Sequence, residues 1–278
     1  MAVRIITDST SDITPQEAAK LNLRVVPLTV NFGQEEFIDG VNLTVEDFYA
    51  RLRVAKDLPK TSLVSPAAFV DVFNAEKKED DLVVILISSE LSGTYQSALT
   101  ALDLVQRKNV HLIDSRQVTF GLASLVYTAL KLRDQGKSAK EIVDTINAIK
   151  EKLVVHAVID DLKYLKLGGR LSGAAAAVGT LLRLKPIISI ADGKVTVVHK
   201  TLGVSKAFEW ITHQLKAADV DQSLPQFFGH SDAQESVLKF MDFVTKRTNF
   251  PTNHIHAIGI TVGTHAGPGA VGLSYFKK

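Results

Sequence analysis

Four polar stretches interrupt an otherwise apolar chain: TDSTSD (7–12), KTSLVSP (60–66), SSELSGT (88–94) and THAGPG (264–269). Each falls at the expected end of a strand or start of a helix. Hydroxyls placed there can donate to an anion. A glycine at a helix start, as at Gly93, also lets backbone N–H groups approach it. In open α/β sheets, ligands bind beyond the carboxyl ends of the strands. Taken singly, each stretch is explained by helix capping, since Ser, Thr and Asp are favoured N-caps worth ~1 kcal/mol each. Three such clusters plus His265 before Gly-Pro-Gly point beyond capping. If it faces the hydroxyls, His265 is a donor whose charge changes near neutral pH. Two other chemistries use the same residues. Ser92 as nucleophile with His265 as base makes a hydrolase or acyl-transfer enzyme, provided a third group such as Asp8 or Asp114 orients the imidazole. Gly93 and its helix start alternatively suit a phosphate.

Other chemistry is excluded or weak. The chain has no cysteine, so disulfides, thiolate metal sites and a cysteine nucleophile are out. Gly267 to Gly272 reads GPGAVG, with dinucleotide-loop spacing, but only six residues follow, too few for the helix and second strand that motif requires. A phosphate-binding GxxxxGK[ST] loop and a GxSxG elbow are both missing. His254 and His256 are expected on one face of a strand, but two histidines do not make a zinc site. Neither a metal nor a cofactor is expected. With 32 basic and 30 acidic side chains, the formal charge of +2 gives no sign of a nucleic-acid surface. MAVRIITDST enters a strand directly, and no apolar run reaches ~18 residues, so neither an export signal nor a membrane span is expected. A cytoplasmic location follows.

The elements that must position these residues change character along the chain. VRIIT, LRVVPLTVNF, LVVILIS and VHLID are β-branched runs that read as strands. Strands this apolar are buried on both faces, as in parallel sheets covered by helices. The helix TPQEAAKL opens with Thr14, Pro15 and Glu17, the pattern of a capping box. TVEDFYARLRVA and SPAAFVDVFNA are further helices. Helices dominate from about 118 to 152, with Ile142, Ile146 and Ile149 on one stripe. Beyond them, PIISIADGKVTVVHK signals a hairpin at Asp192-Gly193, hence antiparallel strands. IHAIGITVG reads as the strand leading into THAGPG. The fold class is therefore α/β in two domains: 1–155 with a mostly parallel sheet and flanking helices, and 156–278, α+β with a mixed or antiparallel sheet. No Pro/Gly-rich linker separates them, so they pack tightly. Within the second, Gly168-Gly169 ends a short helix and places Arg170 at a turn, where a surface ion pair is its plainest role. Ser172 then caps an Ala/Gly-rich helix, able to pack closely or to wall an apolar passage.

TDSTSD, KTSLVSP, ISSELSGTYQSA, LIDS, LGGRLS, LKPII and HAGPGAVG occur together and in order, from residue 7 to 272. This set resembles the DegV family of fatty-acid-binding proteins. The resemblance implies a long-chain fatty acid held between two domains, its acyl chain in an apolar tunnel and its carboxylate held by hydroxyls and a histidine. On this sequence those positions are Thr61 and Ser62, then Ser92, Gly93 and Thr94, and His265. Arg170 corresponds to a residue of the partner-facing surface near the head group. The resemblance also implies a non-catalytic binding subunit that presents the carboxylate to a separate ATP-dependent fatty-acid kinase, which makes an acyl phosphate for phospholipid synthesis. The chain departs from the family pattern at Leu63-Val64, where Gln-Pro is common, and at Leu202, where arginine is common. The second departure weakens the expectation of a kinase partner relative to lipid binding.

Overall fold

The apolar runs of the first half form one sheet. The computed structural model describes residues 2–172, 184–251 and 254–278. Val3–Asp8 (β1), Leu23–Val26 (β2), Asp81–Leu86 (β6) and Val110–Asp114 (β7) lie in the order β2-β1-β6-β7, all parallel. Both faces are covered, as the uninterrupted apolar sequence requires. Ile5, Val83 and Ile85 point toward the helices Thr119–Asp134 (α5) and Ala139–Ile149 (α6). Ile6, Leu82 and Val84 alternate to the other face, against Pro66–Ala75 (α3) and Thr94–Val105 (α4).

LRVVPLTVNF is not one strand. It breaks after Val26, and Thr29–Phe32 (β3) joins Glu35–Ile38 (β4) and Lys60–Ser62 (β5) in a separate antiparallel sheet of order β4-β3-β5. Pro27 stands at the break; it has no N–H to donate to a ladder. The helices Pro15–Lys20 (α1) and Val45–Val54 (α2) flank this region. Thr14 caps α1 by accepting from the Glu17 N–H, but the Glu17 carboxylate turns to the Tyr127 hydroxyl. The reciprocal half of the expected box is thus replaced by a tertiary contact. A complete capping box occurs instead at Ser138 and Glu141, opening α6.

The second half forms a six-stranded mixed sheet. Leu153–Val158 (β8), Leu184–Ala191 (β9), Lys194–Leu202 (β10), Phe227–His230 (β11), Ile255–Ala257 (β12) and Val271–Phe276 (β13) take the order β10-β9-β8-β13-β11-β12. Only β11 and β12 pair in parallel. The hairpin at Asp192-Gly193 is present, with φ of 49° and 76°, the left-handed pair that a tight two-residue turn needs. The helices Val204–Ala217 (α8) and Gln234–Thr245 (α9) pack on one face through Phe208, Ile211, Val237 and Phe240. The other face shares its core with α5, which is buried almost all round and so lies between the two large sheets. The described residues also form two short helices, Lys163–Leu167 (α7) and Ile260–Ala266 (α10).

α10 corrects the sequence reading. IHAIGITVG is a strand only over β12; from Ile260 it is helical, and His265 sits in the last helical turn rather than after a strand. Glycine weakens a strand interior, and Gly259 begins the helix. The Ala/Gly-rich helix expected after Ser172 lies outside the described residues.

Candidate functional site

Three separate parts of the chain deliver hydroxyls and an imidazole to one place. β5 carries Thr61 and Ser62, the turn after β6 carries Ser92 and Gly93, and α10 carries His265. The His265 Nε2 lies 2.9 Å from the Thr61 Oγ1. Its other nitrogen is buried with no hydrogen-bond partner among the described residues. The ring lies so close to Gly168 that a Cβ there would fall 2.2 Å from Nδ1. Burial, and then the positive charge of Arg170, hold the His265 pKa down at about 4. The imidazole is therefore neutral at pH 7, a polar contact without a charge of its own.

Thr61, Ser62, Ser92, Gly93 and His265 all line one cavity of about 190 Å³. Thr94 does not; it is fully buried behind Ser92, with the two hydroxyl oxygens 2.9 Å apart. The rest of the wall is largely apolar and comes from the mixed sheet, from α5 and from the segment just after β6: Ile87, Phe120, Val155, Ala157, Ile188 and Ile190. A polar cluster at an otherwise apolar cavity is the arrangement of a small-molecule site. Arg170 lines it too, half-buried, with its guanidinium donating to the carbonyls of Gly168 at 2.6 Å and Leu91 at 3.3 Å. That places its charge beside His265. Thr10 and Thr261 also line the cavity and were not singled out individually in the sequence. Thr10 belongs to TDSTSD, the stretch that hinted at it, but its hydroxyl is taken up by Asp8 at 2.5 Å.

A wider cleft of about 1110 Å³ lies elsewhere, bordered by β2 and β12 and lined by Arg4, Glu17, Arg24 and Glu76. It is larger, but its charges are mixed and the clustered hydroxyls and His265 are not in it. The apolar cavity is the candidate site. Among the described residues, no group of three or more His, Asp or Glu side chains is arranged to hold a metal ion, and no helix is long and apolar enough to cross a membrane.

The geometry of a serine hydrolase is not assembled. The Ser92 hydroxyl engages Thr94, and His265 engages Thr61. Neither proposed orienting acid reaches the imidazole. Asp8 accepts from Thr10 and from the Ile87 N–H, and Asp114 accepts from Ser89 and the Arg116 N–H. A nucleophile–base–orienter chain needs all of these contacts.

An α/β fold with an apolar cavity that ends in Ser, Thr and His side chains is the architecture of a candidate small-molecule site. The family profile described as "Uncharacterised protein, DegV family" matches residues 2–278, and the chain belongs to the DegV family. It is 35% identical over 278 residues to a DegV domain-containing protein of Caldanaerobacter subterraneus, covering 99% of each chain. Among solved structures, it is similar to a fatty-acid-binding DegV family protein from Thermus thermophilus, with a TM-score of 0.90, 28% identity and full coverage of both chains. It is equally similar to a fatty-acid-binding DegV family protein from Streptococcus agalactiae, with a TM-score of 0.90, 27% identity, and 100% and 99% coverage.

Proposed function

We propose that this protein binds a long-chain fatty acid, with the acyl chain in the apolar cavity and the carboxylate against Thr61, Ser62, Ser92, Gly93 and His265. Thr94 supports Ser92 from behind. The observation that carries this reading is the meeting of the Thr61–His265 pair and the Ser92 turn at one otherwise apolar cavity. The fatty-acid-binding relatives from T. thermophilus and S. agalactiae support it. Neutral hydroxyls and a neutral imidazole accommodate a carboxylate through hydrogen bonds that are stronger for its charge. Each methylene removed from water adds about 0.8 kcal/mol, so retention comes chiefly from the chain.

In this reading the protein is a non-catalytic, cytoplasmic carrier with domains 1–155 and 156–278 on either side of the ligand, and it needs no cofactor. It presents the carboxylate to a separate ATP-dependent kinase, with Arg170 on the partner-facing side of the head group. Titrating delipidated protein with palmitate and with hexadecanol tests the carboxylate grip. The acid binds at least tenfold more tightly than the alcohol if the polar end recognises a carboxylate. Equal affinities would leave an unselective apolar cavity and contradict the reading.

A further inference from the structure

α10 carries the site histidine but has no cap of its own. Its N-cap is Gly259, which has no side chain, and the first N–H groups of a helix lack partners within it. Two remote carboxylates supply them. The Asp12 Oδ1 accepts from the Gly259 N–H at 2.9 Å, and the Asp39 Oδ2 accepts from the Thr261 N–H at 3.4 Å. Negative groups also interact favourably with the helix dipole at that end. The two carboxylates meet there: a Cβ on Gly259 would lie 2.9 Å from the Asp12 Oδ1 and 3.5 Å from the Asp39 Oδ1.

Asp12 closes the TDSTSD turn, a stretch the ligand contacts leave largely unexplained. The turn is firmly built. Asp12 itself is held at φ 56°, Asp8 accepts from the Thr10 and Ile87 N–H groups, and Ser9 accepts from the Leu28 N–H. Asp39 is 8% exposed, just beyond β4. Burial raises the pKa of Asp8, Asp12 and Asp39 alike, so gathering three carboxylates here costs free energy that a simple turn does not require.

The rest of α10 is fixed as closely. A Cβ at Gly263 would meet the Tyr49 hydroxyl at 2.5 Å and the Phe48 ring at 2.8 Å, and the Tyr49 hydroxyl donates to the Ile258 carbonyl at 3.1 Å. At the far end Gly267, at φ 69°, lies against Tyr164. A helix of seven residues spans only about 10 Å. Displacing its start therefore moves His265 relative to Thr61.

We propose that Asp12 and Asp39 are positioning residues of the fatty-acid site, capping α10 from outside and thereby setting the contact between His265 and Thr61. The affinity arm of the test rests on the fatty-acid reading; the spectroscopic arm does not. Asp12→Ala and Asp39→Ala, which remove the accepting oxygens, are made singly, together with Gly259→Ala, which pushes a Cβ against the Asp12 carboxylate without removing a charge. In ligand-free protein, imidazole nitrogen NMR signals of His265 should shift in all three. Oleate Kd should rise about tenfold in each. In a His265→Ala background the same changes should raise it less than twofold, because the position they set no longer matters.

Unshifted His265 signals in folded variants would overturn the proposal, as would equal affinity losses in both backgrounds. If an Asp→Ala variant does not fold, Gly259→Ala decides by the same signals. If the unaltered protein takes up no oleate, the fatty-acid reading fails, and the His265 signals still decide whether the carboxylates position that ring.

Discussion

The His265 Nε2 and the Thr61 Oγ1 lie 2.9 Å apart although 204 positions separate the residues in the chain. The contact joins α10 to β5. It also holds the imidazole and a hydroxyl side by side at the cavity wall, where one ligand oxygen can meet both. Removing the imidazole deletes a hydrogen bond to a charged group. His265→Ala is expected to weaken fatty-acid binding by about 1.5–3 kcal/mol, and Thr61→Val, nearly the same shape, by ~1 kcal/mol. A competition titration with a displaced fluorescent fatty acid measures both. Unchanged affinity in His265→Ala would remove the histidine from the site.

Arg170 lies beside His265 and helps to lower its pKa. In Arg170→Ala the His265 pKa should rise from about 4 toward its ordinary value, leaving the contribution of burial. NMR titration of the imidazole reads this directly. Fatty-acid affinity should fall only a few-fold, because a half-exposed charge is well screened. If a separate kinase phosphorylates the bound acid, as proposed, that phosphorylation should fall further. A larger loss of lipid binding than in His265→Ala would make Arg170 the main carboxylate ligand.

Phe120 lines the cavity with its ring seated directly on Gly229. A Cβ at Gly229 would lie 2.1 Å from the Phe120 Cδ1, so Gly229→Ala must push the ring away. The cost of such overpacking is typically 1–3 kcal/mol of stability. With the ring driven into the cavity, long chains lose more affinity than short ones. A series of saturated acids from lauric to stearic should show the preference moving to shorter chains. A uniform loss across the series would show that Phe120 does not bound the acyl chain.

His156 is buried under Trp210, with ring centroids 5.3 Å apart, and burial lowers its pKa to about 4. Since the folded value lies below the unfolded value of 6.5, protons bind the unfolded chain preferentially. Stability is lost as the pH falls through 6.5, and the loss is complete below about 4. Asp8, pushed up to about 6, acts in the opposite sense: it adds stability as the pH falls from about 6 toward 3.8. Comparing His156→Phe with the unaltered protein cancels that contribution. The variant should gain roughly 2–3 kcal/mol in relative stability between pH 7.5 and pH 4.5, measured by urea unfolding at each pH. An unchanged difference would mean that His156 takes up a proton in the folded state.

Local signals in the sequence carried much of the fold. The fully apolar LVVILIS run marked a central parallel strand, and Asp192-Gly193 marked its hairpin, because both depend on neighbouring residues alone. Tertiary effects limited the rest. Pro27 splits LRVVPLTVNF between two sheets, which a hydropathy pattern does not show. Glu17 abandons its capping box for Tyr127, 110 positions away. α10 was hidden most completely, since its caps come from 247 and 222 positions upstream. The candidate site was visible as polar clusters, but the Thr61–His265 contact, the retreat of Thr94 behind Ser92 and the turn of Arg170 toward the cavity exist only in three dimensions.

Mass spectrometry of the protein, first native and then after denaturation and lipid extraction, tests the central claim most directly. The expected result is a C14–C18 fatty acid, either co-purified or taken up from added palmitate or oleate, at close to one per chain. A protein that carries no acyl chain and takes up neither acid would contradict fatty-acid binding.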